Sequence, residues 1–220
     1  MMRAEIVSFS ASGEDAIAVG VRLFEGENSQ NCRFVIPSAL YVKLGLCKGE
    51  CSCELFEKLE HESKVYDAYR RGICVLGFGA CSQRMLVSKL IAKGYERAIA
   101  REAVCRIVKH GYLCERDSAI REAERGAAKL WGASRIRAGL CSKGYSAEAV
   151  DAAMFALEDS GVDFEGNCVR LIESRYKKIP TDRLEIQKLI ASVSRYGYSL
   201  GEIKAACCVI ANKKKSIYED

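Results

Sequence analysis

The chain says one phrase twice. Leu90, Ile91, Ala92, Lys93, Gly94 and Tyr95 return fifty residues later as Leu140, Cys141, Ser142, Lys143, Gly144 and Tyr145, and self-similarity at a fixed period of this length marks stacked supersecondary units. The agreement runs on without a gap, because Ala100, Val104, Ile107 and Gly111 fall opposite Val150, Met154, Leu157 and Gly161. Steps of three and four residues trace the apolar stripe of an α-helix. At an offset of 53 a weaker third copy emerges, with Gly197-Tyr198 opposite Gly144-Tyr145 and Ile203, Cys207 and Ile210 opposite Val150, Met154 and Leu157. Each unit reads as a long first helix, a second helix that ends at the Gly, and a third that opens just after it. Gly supplies the left-handed turn that closes the second helix, and Ser146 and Ser199, two residues later, can accept from the free amides of the third. Glu96 holds that place in the first copy and makes a less clear cap.

A single helical hairpin cannot hide its own apolar stripe, so neighbouring units must cover one another. The expected fold is mainly α, with tandem three-helix repeats forming an elongated curved array in place of one compact bundle. The first sixty residues follow another grammar: Ala4–Phe9, Ile17–Phe24 and Cys32–Ile36 are rich in Val, Ile and Phe and are separated by Gly13 and the stretch from Glu25 to Asn31. Three strands joined by hairpins are expected. A short helix follows from Pro37-Ser38 to Leu44, Gly45 stops it, and Gly49 turns the chain into Cys51–Glu54. The expected organisation is a β-rich extension over 1–60 and repeats over 61–113, 114–163 and 164–220.

The 220 residues are 49% apolar and 29% charged, ordinary for a water-soluble chain. The longest apolar runs, Ile73–Cys81 and Ala205–Ala211, are far short of the roughly 20 residues that cross a bilayer. Glu5 interrupts the first decade, so no secretory signal is expected there, and the expected location is the cytoplasm. The twelve cysteines then read as reduced thiols on helix stripes, as at Cys105, Cys141 and Cys207. Cys47, Cys51 and Cys53 cluster but lack the paired spacing of a metal site, and neither His61 nor His110 completes one. His110, just before Gly111, suits a cation near a helix carboxyl end.

Charge is divided unevenly. Residues 1–60 carry six Lys and Arg against nine Asp and Glu, whereas residues 61–220 carry 28 against 20. The bases gather in sets: Lys89, Lys93, Arg97 and Arg101; Arg135, Arg137 and Lys143; and Lys213 to Lys215. Such a surplus favours an anionic partner, nucleic acid or an acidic protein surface. Phosphate-cradle, nucleophile-elbow and zinc-protease motifs are missing from the chain, and Gly77-Phe78-Gly79 follows no strand, so enzyme chemistry finds no footing. No cofactor, metal or small-molecule substrate is expected.

Taken together, the residues resemble the RecX family of regulatory proteins. The likeness rests on the phrase Leu90–Tyr95 closing on Gly111-Tyr112-Leu113, on Leu140–Tyr145 closing on Gly161-Val162, and on the junction Trp131-Gly132-Ala133-Ser134-Arg135-Ile136-Arg137. The strands, with Leu44-Gly45-Leu46 and Lys48-Gly49, are similar to the extension of Gram-positive members. Two departures stand out: Cys114-Glu115-Arg116-Asp117-Ser118 replaces the acidic pair and Phe of many relatives, and the third unit keeps little beyond Gly197-Tyr198 and its stripe.

The resemblance implies a binding protein that lodges along the groove of the RecA filament on single-stranded DNA and restrains ATP hydrolysis and strand exchange. The basic sets of the first two units, Lys89, Lys93, Arg97, Arg101, Arg135, Arg137 and Lys143, are the expected partner-binding residues, and reversing Arg135 and Arg137 is expected to weaken that contact with helicity intact. Tyr95, Tyr145 and Tyr198 are expected to fill helix elbows rather than stack on bases. Two other classes stay open, a direct DNA-binding helical module and a scaffold for an unrelated protein.

Overall fold

The computed structural model describes residues 3–25, 28–79, 81–176 and 178–217, with Glu25 and residues 213–217 described by backbone alone. The side chains of Lys213 to Lys215 therefore lie outside the described residues. The chain divides into two compact units, Met1–Gly79 with Leu86–Leu113 and Ala80–Met85 with Cys114–Asp220. No helix among the described residues is long and apolar enough to cross a membrane.

The first unit opens with β1 (Arg3–Ala11), β2 (Ala16–Glu25) and β3 (Asn28–Pro37), then α1 (Ser38–Leu44) and β4 (Gly49–Cys51). The strands form an antiparallel sheet in the order β3-β2-β1-β4, with a register shift between Ile6 and Ser8. Alternation sends Ile6, Val19, Val21, Phe34 and Ile36 to one buried face. The three expected strands are present. The fourth is shorter than expected because Ser52 caps a helix: its hydroxyl accepts from the Leu55 amide, and Glu54 is already helical. That helix, α2 (Cys53–Gly77), runs through residue 60. Its first turns give Phe56 and Leu59 to the core of the sheet, and Ser63 Oγ accepts from the Val35 amide at 2.9 Å. Farther along, α2 meets α4 (Arg97–Lys109). α3 (Gln83–Ile91) precedes α4 and buries Leu86 and Leu90.

The second unit holds two further three-helix groups, α5 (Glu115–Ala128), α6 (Ala133–Ser142) and α7 (Ala147–Asp159), then α8 (Phe164–Arg175), α9 (Arg183–Ser194) and α10 (Leu200–Ile217). α5 turns Ala119, Ala123 and Ala127 toward Val150, Ala153, Met154 and Leu157 of α7, and Ile136 and Leu140 of α6 close that core. In the next group Cys168, Val169 and Ile172 of α8 meet Leu189 and Val193 of α9 and Ile203, Ala206 and Ile210 of α10.

The repeated phrase is a helix stop. Gly94, Gly144 and Gly197 have φ of +97°, +75° and +93°, a region open to Gly at little cost. The Tyr95 and Tyr145 amides donate to the carbonyls of Leu90 and Leu140, both at 3.3 Å, while the Gly amides donate to Ile91 and Cys141. This pairing satisfies the last free carbonyls of the helix. Ser146 caps α7 by accepting from Ala149, and Ser199 and Glu202 cap α10 reciprocally. Glu96 makes no side-chain cap.

Candidate partner-binding surface

The tyrosines after each elbow are structural, as expected. Tyr95 Oη donates to Asp67 at 2.6 Å, Tyr145 Oη to the Ser118 carbonyl at 3.4 Å and Tyr198 Oη to the Leu130 carbonyl at 3.1 Å. Burial pushes the Tyr95 and Tyr145 phenols up to about 12 and raises Tyr198 further.

The basic sets divide by environment. In the first unit, Lys89 ends α3, Lys93 lies in the elbow, and Arg97 and Arg101 stand one turn apart on α4; all four are exposed. Among the described residues none of their side chains forms an ion pair or hydrogen bond. The first turn of α4 also carries no acid, whereas its counterparts α7 and α10 carry Glu148 and Glu202. A helix amino end is electropositive and favours acids by roughly 0.3–1 kcal/mol each, so helix stability does not account for Arg97 and Arg101. Bases there add to the positive end of the dipole, offset in part by the N-cap acid Glu96.

The bases of the second unit are engaged. The Arg135 guanidinium lies 4.4 Å from the Trp131 ring centre and 4.8 Å from that of Tyr196, and it donates to the Arg195 carbonyl at 2.9 Å. Arg175 covers Tyr196 at 4.3 Å. Arg135 thus ties the start of α6 to the end of α9, beside the Gly132 amide that donates to the Tyr196 carbonyl at 2.7 Å. Reversing its charge would remove these contacts, so that variant perturbs the junction as well as any partner surface. Arg137 pairs with Asp151 at 2.6 Å, and Lys143 pairs with Glu122, which also takes Arg125.

α4 uses a further base inward. Arg106 grips Glu62 with both nitrogens, at 2.8 and 3.0 Å, and Glu102 at 2.6 Å, while His61 reaches Glu102 at 2.8 Å. Partial burial works to raise the Glu102 carboxyl, but the hydrogen bonds from His61 and Arg106 outweigh it and hold the group below its ordinary value. Sequence reading missed this network because its partners lie about forty residues apart. His110 caps α4 and meets Tyr69 Oη at 2.9 Å.

The cysteines correct one expectation: Cys105 and Cys141 are exposed and Cys207 half-buried, because each falls at the edge of its stripe. Cys51 is buried between exposed Cys47 and Cys53. Among the described residues no three His, Cys, Asp or Glu side chains come together as a metal site would require.

No family model matches the chain. Two curated relatives, each called regulatory protein RecX, come from Xanthomonas axonopodis pv. citri (strain 306) and Xanthomonas citri. Both are 32% identical over 126 residues, covering 57% of this chain and 76% of the relative. A crystal structure of regulatory protein RecX superposes with a TM-score of 0.69 over 92% of this chain and 99% of its own, at 17% identity. RecX from Lactobacillus salivarius superposes with 0.54 over 65% and 94%, at 16% identity. The structures show a shared fold, and the identity and coverage of the curated relatives place this chain in the RecX family of regulatory proteins.

Proposed function

We propose that this protein is a non-enzymatic regulator that binds the RecA recombinase, or its filament on single-stranded DNA, and lowers ATP hydrolysis and strand exchange. Lys89, Lys93, Arg97 and Arg101 are the principal contact. The observation that carries the reading is the run of four exposed cations that have no ion pair or hydrogen bond among the described residues, the last two on a helix whose first turn carries no acid beyond its N-cap Glu96. Cations that stabilise nothing at home are free to meet an anionic surface, and release of counterions from that surface drives association. Arg137 adds to the contact, because its exposed bridge to Asp151 is worth only about 0–1 kcal/mol and can be exchanged. Lys143 contributes while balanced by Glu122, and Arg135 acts by holding α6 in place. Several weak contacts on successive filament subunits add through effective concentration.

The test is RecA-catalysed ATP hydrolysis on single-stranded DNA with the protein added below stoichiometry. A falling rate supports the proposal, and an unchanged rate up to equimolar protein rejects it. The same cations favour a second reading, direct binding to DNA. It predicts affinity for duplex DNA without RecA and a steep loss of that affinity with salt.

A further inference from the structure

Within the first unit, α1, α2 and the end of α4 border an open cleft of about 880 Å³, within the upper part of the size range of small-molecule sites. None of the bases assigned above lines it. Lys43, Arg70 and Lys109 line it, and among the described residues their side chains form no ion pair or hydrogen bond. Arg106 lies in the same wall, already neutralised by Glu62. Asp15 is the other acid of the lining, so the cleft carries a positive balance.

Its other component is aromatic. Tyr66 and Tyr69 lie nearly parallel, 6.2 Å apart with 16° between planes, and Tyr69 meets the edges of His110 and Tyr112 at 5.5 and 6.4 Å. The Tyr69 hydroxyl is held by His110 Nδ1 at 2.9 Å, so this ring is fixed. Tyr112 is different: it is 60% exposed. Its counterpart in the next repeat, Val162, is half-buried against the core of its group. A packing role that Val fills in one copy does not call for an exposed ring in the other. A fixed aromatic wall with one open face and unpaired cations at its rim matches a ligand that is flat at one end and anionic at the other. Acidic peptides would satisfy the cations and leave the rings unused.

We propose that this cleft binds a nucleoside phosphate, the base stacking on Tyr112 or Tyr66 and the phosphate meeting Lys43, Arg70 and Lys109. The ligand is either a free nucleotide or one residue of a single strand, and Asp15 offers an acceptor to its sugar or amino groups. The inference stands without the RecA reading, since it concerns this chain alone.

The experiment titrates the full chain, without RecA, with a fluorescently labelled ten-residue oligothymidine by anisotropy and with ATP by calorimetry. Tyr112→Ala, Lys109→Glu and, as a control on the α4 start, Arg97→Glu/Arg101→Glu are compared, with far-UV circular dichroism confirming the fold. Stacking of one base predicts a loss of about tenfold for Tyr112→Ala, and Lys109→Glu should weaken binding similarly. Binding of ATP identifies a free nucleotide as ligand, and binding of the oligonucleotide alone identifies a strand; in either case the proposal stands if both cleft variants weaken it. Binding that only the α4 control abolishes, or no binding of either probe, overturns it.

Discussion

Gly132→Ala should break the junction between the two helical groups of the second unit. Gly132 is buried at the start of α6, and a Cβ there would lie 2.5 Å from the Gly197 carbonyl oxygen and 2.7 Å from its carbon. These are backbone atoms and cannot rotate away, and carbon atoms rest at about 3.5–4.0 Å, so the two segments must part by about 1 Å. Overpacking of this kind costs about 1–3 kcal/mol. The Gly132 amide, now 2.7 Å from the Tyr196 carbonyl, would be stretched as well, a further cost of about 1 kcal/mol. The expected loss is therefore about 2–4 kcal/mol. Gly139→Ala, seven residues on in the same helix, is the control: nothing lies within 4 Å of its Cβ position, so it should gain about 0.5–1 kcal/mol from helix propensity. Urea unfolding of both variants measures the difference, and hydrogen exchange of α9 and α10 shows where the loss falls. Two alanines within about 1 kcal/mol of each other, or unchanged exchange in α9 and α10, would refute the account of the junction.

Other substitutions probe the remaining contacts. Arg135→Ala should cost about 1–3 kcal/mol through the lost Trp131 and Tyr196 faces and carbonyl bond, and Arg135→Lys should recover only part, since an ammonium cannot stack as a plane. Glu102 has a lowered pKa in the folded state, so its contribution is complete above its ordinary value of 4.5 and is lost as pH falls through the lower folded value. Acid unfolding monitored by circular dichroism should accordingly be less steep in Glu102→Gln. Tyr145 shows the opposite sign: its folded value of about 12 exceeds the ordinary 10, so its contribution is present below pH 10 and declines as pH rises toward 12. Tyr145→Phe should then lose stability near neutral pH but show a weaker dependence on pH above 10.

The elbows were legible because a period of about fifty residues and a Gly at each helix end are local signals, and the positive φ at Gly94, Gly144 and Gly197 is their physical counterpart. The sheet was legible through its Val and Ile alternation. The start of α2 was not, since a strand-like run of Cys51 to Glu54 hides Ser52, whose hydroxyl decides the matter by accepting from Leu55. The basic sets looked alike in sequence and differ in space. Arg135 meets Tyr196 from sixty-one residues away, and Lys143 meets Glu122 across twenty-one. Pairing over such separations leaves no local trace, whereas the acid-free first turn of α4 does and could have set Arg97 and Arg101 apart beforehand.

The most direct measurement is the dependence of RecA-catalysed ATP hydrolysis on added protein for the wild type and for the variant Lys89→Glu/Lys93→Glu/Arg97→Glu/Arg101→Glu, both shown to be folded by circular dichroism. The surface assigned to the α3–α4 bases predicts that the variant needs about tenfold or more protein for the same inhibition, and that rising salt narrows the gap. Equal inhibition by the two proteins at low salt would contradict it.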